Sequence, residues 1–226
     1  MENREIEGFV ETEGLKNMET TGYTTIFVGP PDPKEVGEVQ KKFEESEKHS
    51  ASGIIFCRGG SECRKFLNTD NENAEVMRFV KKRLGVNKEV ELFQAIAILE
   101  FQEQKDAHGR PRRAHPVHSS DAISIFRPLN GEARWDTGFF GIYASSHHQT
   151  RQEFSASEKD IHKKRVETYE VFVLSGGSLV QPSTEGGLRM VWQGFSKRPM
   201  LSDIFAADAF EFMTGIHSYE LCLCRV

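Results

Sequence analysis

Short apolar runs alternate with polar turns along the chain, and the first two runs flank a charged amphipathic segment. The β-branched and aromatic run at 23–29 predicts a strand, because such residues fit a pleated, half-buried surface. Asp32 followed by Pro33 predicts a capped helix with one narrow apolar face. The apolar run 52–57 completes a strand–helix–strand unit. Such a unit favours a right-handed parallel crossover, so a βαβ-like N-terminal third is expected.

The next two segments predict a helix and a central strand. Residues 69–85 carry apolar positions at helical spacing, with Asp70 or Asn71 as the cap and Gly85 as the end. Residues 90–101 are apolar on both alternating faces. A strand that is covered on both sides has this pattern, so we expect 90–101 to lie inside a sheet.

The second half of the chain predicts mainly antiparallel strands. Several of its apolar runs alternate with polar residues, as half-exposed antiparallel strands do. The predicted strands are 122–129, 138–145, 169–177, 188–195 and 219–226, and the predicted helices are 155–167 and 202–215. The fold class expected from the whole pattern is α+β, with a mixed, mostly antiparallel sheet and helices on its faces.

The domain organisation follows from composition. Residues 1–21 are rich in Glu, Thr and Gly, which predicts a loosely ordered acidic leader. Residues 22–226 are expected to form a single α+β domain, with a candidate internal boundary near 103–120 where the pattern changes.

Charge and targeting signals narrow the class of protein. The net charge is −5, and the segment 1–47 holds twelve acidic and five basic side chains. A dedicated nucleic-acid binder usually shows a strong basic excess, so that class is disfavoured. The chain shows neither a signal peptide nor a membrane-spanning run. These features predict a cytoplasmic or nuclear protein that is not secreted, whose four cysteines are reduced thiols.

The first candidate site is the loop that follows the predicted strand 52–57. Cys57 ends the strand, Gly59 and Gly60 allow a tight turn, and Ser61 can open a helix. Such a loop offers backbone N–H groups to an anion, and Arg58 and Arg64 would add charge. The alternative interpretation is a buried Cys57 at the end of a core strand, with a turn that serves geometry alone.

This loop locally resembles the active-site loops of cysteine phosphatases and rhodanese-type sulfurtransferases. In those families a cysteine follows a strand, glycine-rich amides cradle an oxyanion, and an arginine precedes a helix. The resemblance implies a Cys57 thiolate nucleophile. In the phosphatase pattern the arginine comes after five intervening residues; here that position is Cys63, and Arg64 comes one residue later.

The second candidate site is the stretch HGRPRRAHPVHSSD at 108–121. His115, His118 and Asp121 are weak candidates for metal ligands, since imidazole and carboxylate suit zinc or iron. Their spacing fits neither a strand nor a helix, and nearby arginines would repel a cation. The same stretch predicts an anion-binding loop through three of these arginines, namely Arg110, Arg112 and Arg113. An exposed connector with no ligand is the plain alternative.

No complete catalytic motif occurs in the sequence, so a non-catalytic protein that binds a partner or an anionic ligand is the leading prediction. Its role would be regulatory, adaptor or structural, with a viral accessory or matrix-type protein as one version. The partner would be a protein or a phosphate-bearing ligand, with nucleic acid an option for the 105–113 loop. The alternative is a cysteine-dependent enzyme, phosphatase- or sulfurtransferase-like, that uses Cys57. No cofactor is predicted.

Overall fold

Two antiparallel sheets pack face to face in the computed structural model. It describes residues 12–51, 53–88, 92–104, 111–113, 115, 119–149 and 161–198. The larger sheet has seven strands and the smaller sheet has four. Helices lie against the larger sheet, so the predicted α+β class with a mostly antiparallel sheet is confirmed.

The elements are as follows. The helices are α1 over 12–20, α2 Pro33–Glu45, α3 Ser61–Phe66 and α4 Glu75–Leu84. The strands are β1 Tyr23–Phe27, β2 His49–Ala51, β3 Ile54–Arg58, β4 Phe93–Phe101, β5 Arg112–Arg113, β6 Ala122–Pro128, β7 Gly141–Tyr143, β8 Ile161–His162, β9 Glu170–Ser175, β10 Leu179–Gln181 and β11 Arg189–Ser196.

Strands β4 to β11 switch between the two sheets along the chain. The larger sheet has the order β1-β9-β6-β11-β4-β3-β2, and the smaller sheet has the order β5-β10-β7-β8. Each sheet therefore takes four of these eight strands, which is the arrangement of a double-sheet jelly roll. The space between the sheets is the natural interior of such a fold.

The helices begin and end where local chemistry dictates. The Asp32 carboxylate accepts a hydrogen bond of 2.8 Å from the Lys34 N–H and so caps α2, as the sequence predicts. α4 begins at Glu75, later than the predicted 69, because residues 70–73 form a turn in which Asn71 accepts from the Asn73 N–H. Gly85 ends α4 with a φ of 66°, a left-handed conformation that favours glycine.

β4 is a central strand, as its two apolar faces predict. β3 pairs with it on one side and β11 on the other. Alternate residues enter two different cores: Ala97 and Leu99 face the space between the sheets, whereas Ile98 faces the helices. Burial on both faces explains why no polar alternation marks this strand.

The predicted βαβ-like crossover in the N-terminal third is wrong. β1 pairs with β9, whereas β3 pairs with β2 and β4, and all these pairings are antiparallel. Four other strands separate β1 from β3 in the sheet. The local pattern identified both strands and the helix between them but contained nothing about their partners, which are distant in sequence.

Two other predictions meet the structure only in part. Ile161–His162 is a strand and Val166 bridges to Ala133, so the predicted helix over 155–167 is wrong for its described residues. The predicted acidic leader contains the helix 12–20, whose Met18 is fully buried. The predicted helix 202–215 and strand 219–226 lie outside the described residues. The division into a leader and one domain stays a prediction.

Two apolar cores lie on opposite faces of the larger sheet. The inner core fills the space between the sheets and is rich in rings, among them Phe126, Phe139, Phe140, Phe172 and Trp192. The outer core joins the larger sheet to the helices. In the part of the chain that the structure describes, no helix is long and apolar enough to cross a membrane.

Candidate functional site

The Cys57 loop is built mainly for packing. Cys57 is fully buried in the outer core, and burial raises the pKa of its thiol. The Gly59 N–H donates to the Ile96 carbonyl at 3.0 Å, so this amide extends the β3–β4 pairing instead of facing a ligand. Arg58 is exposed, and the Arg64 guanidinium donates to the Gln94 amide oxygen at 3.1 Å. A nucleophilic thiolate needs a lowered pKa and access, and Cys57 has neither.

The second thiol of the loop is also protonated at neutral pH. Cys63 is fully buried in α3, and burial raises its pKa to about 12, with the Glu62 carboxylate acting in the same direction. Glycine at 59 leaves room for this thiol, since a Cβ there would lie 3.0 Å from the Cys63 Sγ. Gly60, Ser61 and α3 therefore fit a tight packing turn.

Alkylation should therefore be slow at both thiols of the folded chain. At pH 8 we expect Cys57 and Cys63 to react with iodoacetamide at least about tenfold more slowly than a free peptide thiol, because burial keeps them protonated and covered. Mass spectrometry of peptides from native and urea-unfolded protein measures the two rates separately. Native-state labelling of Cys57 as fast as in urea would contradict this expectation.

The basic loop contains a strand. Arg112 and Arg113 form β5, which pairs with Val180 and Leu179 of β10. Arg110 and His118 lie outside the described residues. Asp121 is a surface carboxylate that pairs with Lys197 at 3.0 Å and Arg198 at 2.8 Å, and these hydrogen bonds lower its pKa. Asp121 is thereby committed to cations at the surface.

His115 is the residue of this stretch that enters the interior. Its side chain is fully buried, and its ring centroid lies 6.4 Å from that of Trp192. It lies against β11, since a Cβ on Gly194 would be 2.9 Å from the His115 Nε2. Beside it, the Trp192 indole N–H donates to the Ser124 hydroxyl at 3.0 Å. A histidine, a serine and an indole N–H thus lie together between the sheets.

His147 and His148 belong to a different arrangement. They lie in a 3₁₀ turn over Ser146–His148, with ring centroids 3.8 Å apart. Their Nε2 atoms lie 3.1 and 2.6 Å from the Glu19 carbonyl oxygen, so both rings bind α1 to this turn. Burial lowers the pKa of His147, which favours the neutral ring.

The comparisons with known proteins identify the fold. No protein-family model and no curated protein matches the sequence. Among solved structures, HygX from Streptomyces hygroscopicus, with nickel, 2-oxoglutarate and hygromycin B bound, is similar with a TM-score of 0.59 and 13% identity over 81% of this chain and 86% of that one. The non-heme alpha ketoglutarate dependent epimerase SnoN from nogalamycin biosynthesis has a TM-score of 0.57 and 12% identity over 83% of each chain.

A third solved structure has the same fold. The non-heme alpha ketoglutarate dependent carbocyclase SnoK from nogalamycin biosynthesis has a TM-score of 0.53 and 14% identity over 84% of each chain. At these identities the likeness shows the fold. The class of protein defined here is thus a double-sheet fold that non-heme, 2-oxoglutarate-dependent enzymes share.

These findings correct the predicted function. The sequence suggested a non-catalytic partner- or anionic-ligand-binding protein because it lacks a complete catalytic motif, whereas the structures that share its fold are those of enzymes. The reason for the error is physical. A jelly roll collects its functional residues from separate strands and loops, so the absence of one compact motif carries little weight. The cysteine-enzyme alternative finds no support in the buried thiols.

The described residues do not assemble the donor set of a non-heme iron site. Iron(II) oxygenases of this type use two histidines and one carboxylate with open positions. Within the described ranges, no three His, Cys, Asp or Glu side chains come together as a metal site. His115 is the one described histidine that is fully buried, and Asp121 pairs with surface cations. No metal-dependent step is therefore derived for these residues.

Proposed function

We propose that this chain is an enzyme that acts on a small organic molecule between the two sheets, at the end where His115 lies. The observation that carries the proposal is the full burial of His115 on the inner side of β11. A polar ring in an apolar interior needs a reason, because burial of an ionisable group costs free energy. The enzymes that share the fold provide a class of function for that position.

The residues around His115 suit recognition of a small polar molecule. The imidazole can donate or accept a proton, and its charge changes near neutral pH. Ser124 and the Trp192 indole N–H add two hydrogen-bonding groups beside it. Glycine at 194 keeps the face of β11 open toward the imidazole, because any side chain there would contact His115 and Trp192. Binding and proton transfer are the roles that these residues support.

The first ligand to test is 2-oxoglutarate, which is bound in the HygX structure. The chain has two tryptophans, Trp135 and Trp192, so a Trp135→Phe variant reports only on the interior ring. We expect a saturable change in Trp192 fluorescence on titration with 2-oxoglutarate, in the presence or absence of iron(II) under anaerobic conditions. His115→Gln in this background should weaken binding about tenfold, because a hydrogen bond to a charged ligand is lost.

His49→Gln is the matched control, since His49 lies on β2 at the far edge of the larger sheet. This variant should bind with unchanged affinity, and circular dichroism verifies that both variants are folded. Formation of succinate from 2-oxoglutarate, followed by mass spectrometry, measures turnover. Absence of any saturable signal, or equal affinity in His115→Gln, would overturn the proposal.

A further inference from the structure

A second cavity lies at the edge of the larger sheet, away from the Cys57 loop and independent of the proposed function. We name it the β1 cleft, and it has a volume of about 370 Å³. Its lining includes Tyr23, Thr25, Lys164, Arg165, Glu170 and Phe172. Small-molecule sites typically have volumes of about 300–1,000 Å³, so the β1 cleft is large enough for a compact organic ligand.

The β1 cleft has an aromatic floor and a free strand edge. The rings of Tyr23 and Phe172 stack with centroids 5.8 Å apart and an interplanar angle of 29°. β1 is the terminal strand of its sheet, and Gly22 and Val28 hydrogen-bond toward β9. Main-chain groups alternate along an antiparallel strand, so the N–H and C=O of Thr25 point away from β9 to the open edge.

Lys164 is the cation that remains for a ligand. The Arg165 guanidinium is occupied, since its Nε lies 2.5 Å from a Glu132 oxygen and 2.7 Å from a Glu167 oxygen. Glu170 is the acid of the lining, and its carboxylate accepts a hydrogen bond of 3.0 Å from the Glu167 N–H.

The position of the Lys164 ammonium fits this role. It lies 5.2 Å from the centroid of the Tyr23 ring, over the floor of the cleft. Within the described part of the chain no carboxylate forms an ion pair with it. A positive charge thus lies above an aromatic surface and beside a row of threonines.

We propose that the β1 cleft binds a small organic anion, a carboxylate or a phosphate ester carried on a flat unsaturated body. The Lys164 ammonium would pair with the anionic group, and the Thr25 N–H would donate to it. The flat body would lie on the Tyr23 and Phe172 rings, where stacking adds to apolar burial. A charge-assisted hydrogen bond of this kind is about twice as strong as a neutral one, so charge would dominate recognition.

Ligand-observed saturation-transfer NMR on the full chain tests this site. The probes are benzoate and phenyl phosphate, which separate a carboxylate from a phosphate ligand, with benzyl alcohol as the neutral comparator. We expect saturable binding of at least one anion with a dissociation constant near or below about 1 mM, and weaker binding of benzyl alcohol. Lys164→Gln should weaken binding of that anion about tenfold, because the charged partner is lost.

Lys163→Gln is the matched control. Lys163 is the neighbour of Lys164, but its ammonium lies over the Trp135 ring at 4.3 Å and is not part of the lining. Its replacement should leave affinity within about twofold, as expected for a surface charge at a distance. His115→Gln should also leave affinity unchanged, which separates this site from the proposed catalytic end. Failure of both anions to bind, or equal losses in Lys163→Gln and Lys164→Gln, would overturn the proposal.

Discussion

Replacement of Arg127 by methionine should lower the free energy of unfolding by about 3 kcal/mol or more, because several buried carbonyls lose their donor at once. Arg127 lies on β6 and is almost fully buried. Its guanidinium donates to the carbonyls of Thr168 at 2.8 Å, Phe66 at 2.5 Å and Gly29 at 2.6 Å, and it stacks on the Phe66 ring. One side chain thereby joins three segments that are distant in sequence.

The charge of Arg127 is retained despite this burial. Burial lowers the pKa of Arg127 to about 10, and the Glu35 carboxylate acts in the opposite direction. The guanidinium is therefore protonated at neutral pH, and all its donors are available to the carbonyls. Arg127→Lys should recover only part of the loss, because an ammonium group cannot reach three acceptors in a planar fork.

Urea unfolding monitored by circular dichroism measures the effect, and Arg134→Met is the matched control. Arg134 is about as long and as charged but lies at the surface, where it pairs with Glu132 and Asp136. Exposed ion pairs contribute about 0–1 kcal/mol, so this control should change stability little. Equal losses in the two variants would show that Arg127 has no special role as a donor.

Phe172→Ala should destabilise the fold by about 3–5 kcal/mol, the usual cost of removing a buried ring. Phe172 is fully buried on β9 between the sheets. Its ring contacts those of Tyr23 at 5.8 Å, Phe139 at 5.5 Å and Phe126 at 6.3 Å between centroids. A cavity at this point would remove contacts from both sheets, because Phe172 belongs to the core that joins them.

Phe27→Ala is the control for ring removal as such. Phe27 ends β1, is 62% exposed, and contacts the half-exposed ring of Tyr169. Its loss should change the unfolding free energy by less than about 0.5 kcal/mol, as for most surface substitutions. The same urea titration compares the two variants. If Phe172→Ala were as mild as Phe27→Ala, the interior would not be the cooperative ring cluster described above.

The proposed enzyme and the fold stability meet at β11. Trp192 packs in the ring cluster and also donates to Ser124 beside His115. The position of the His115 ring is therefore fixed by the same core that joins the sheets. A proton-transfer or binding residue needs such support, because a rigid surround reduces the free-energy cost of holding it in place.

The strengths and limits of sequence reasoning are clear at particular elements. Asp32-Pro33 marked the start of α2, because capping is local chemistry, and the double apolar pattern marked β4 as central. The parallel crossover was wrong because nothing in residues 23–57 states that β1 pairs with β9, which begins at Glu170. Strands as short as β5, β8 and β10 gave no periodic signal, since two or three residues cannot show alternation.

The candidate sites divide in the same way. Cys57 and its glycines looked like an anion loop because strand, glycine and helix follow one another, yet burial and raised thiol pKa values depend on helices that pack from elsewhere. His115 and Asp121 looked equivalent in sequence, six residues apart. In the fold, one faces the interior beside Trp192 and the other pairs with Lys197 and Arg198 at the surface.

The β1 cleft gave no signal in the sequence, because its lining comes from α1, β1, β9 and the segment after β8. The sequence alone determined the fold class, the caps and most of the longer elements, since these depend on the chemistry of neighbouring residues. Only the tertiary structure decided which strands pair, which histidine is buried and which lysine lies over an aromatic floor. Those features depend on contacts between residues more than a hundred positions apart, such as Tyr23 with Phe172.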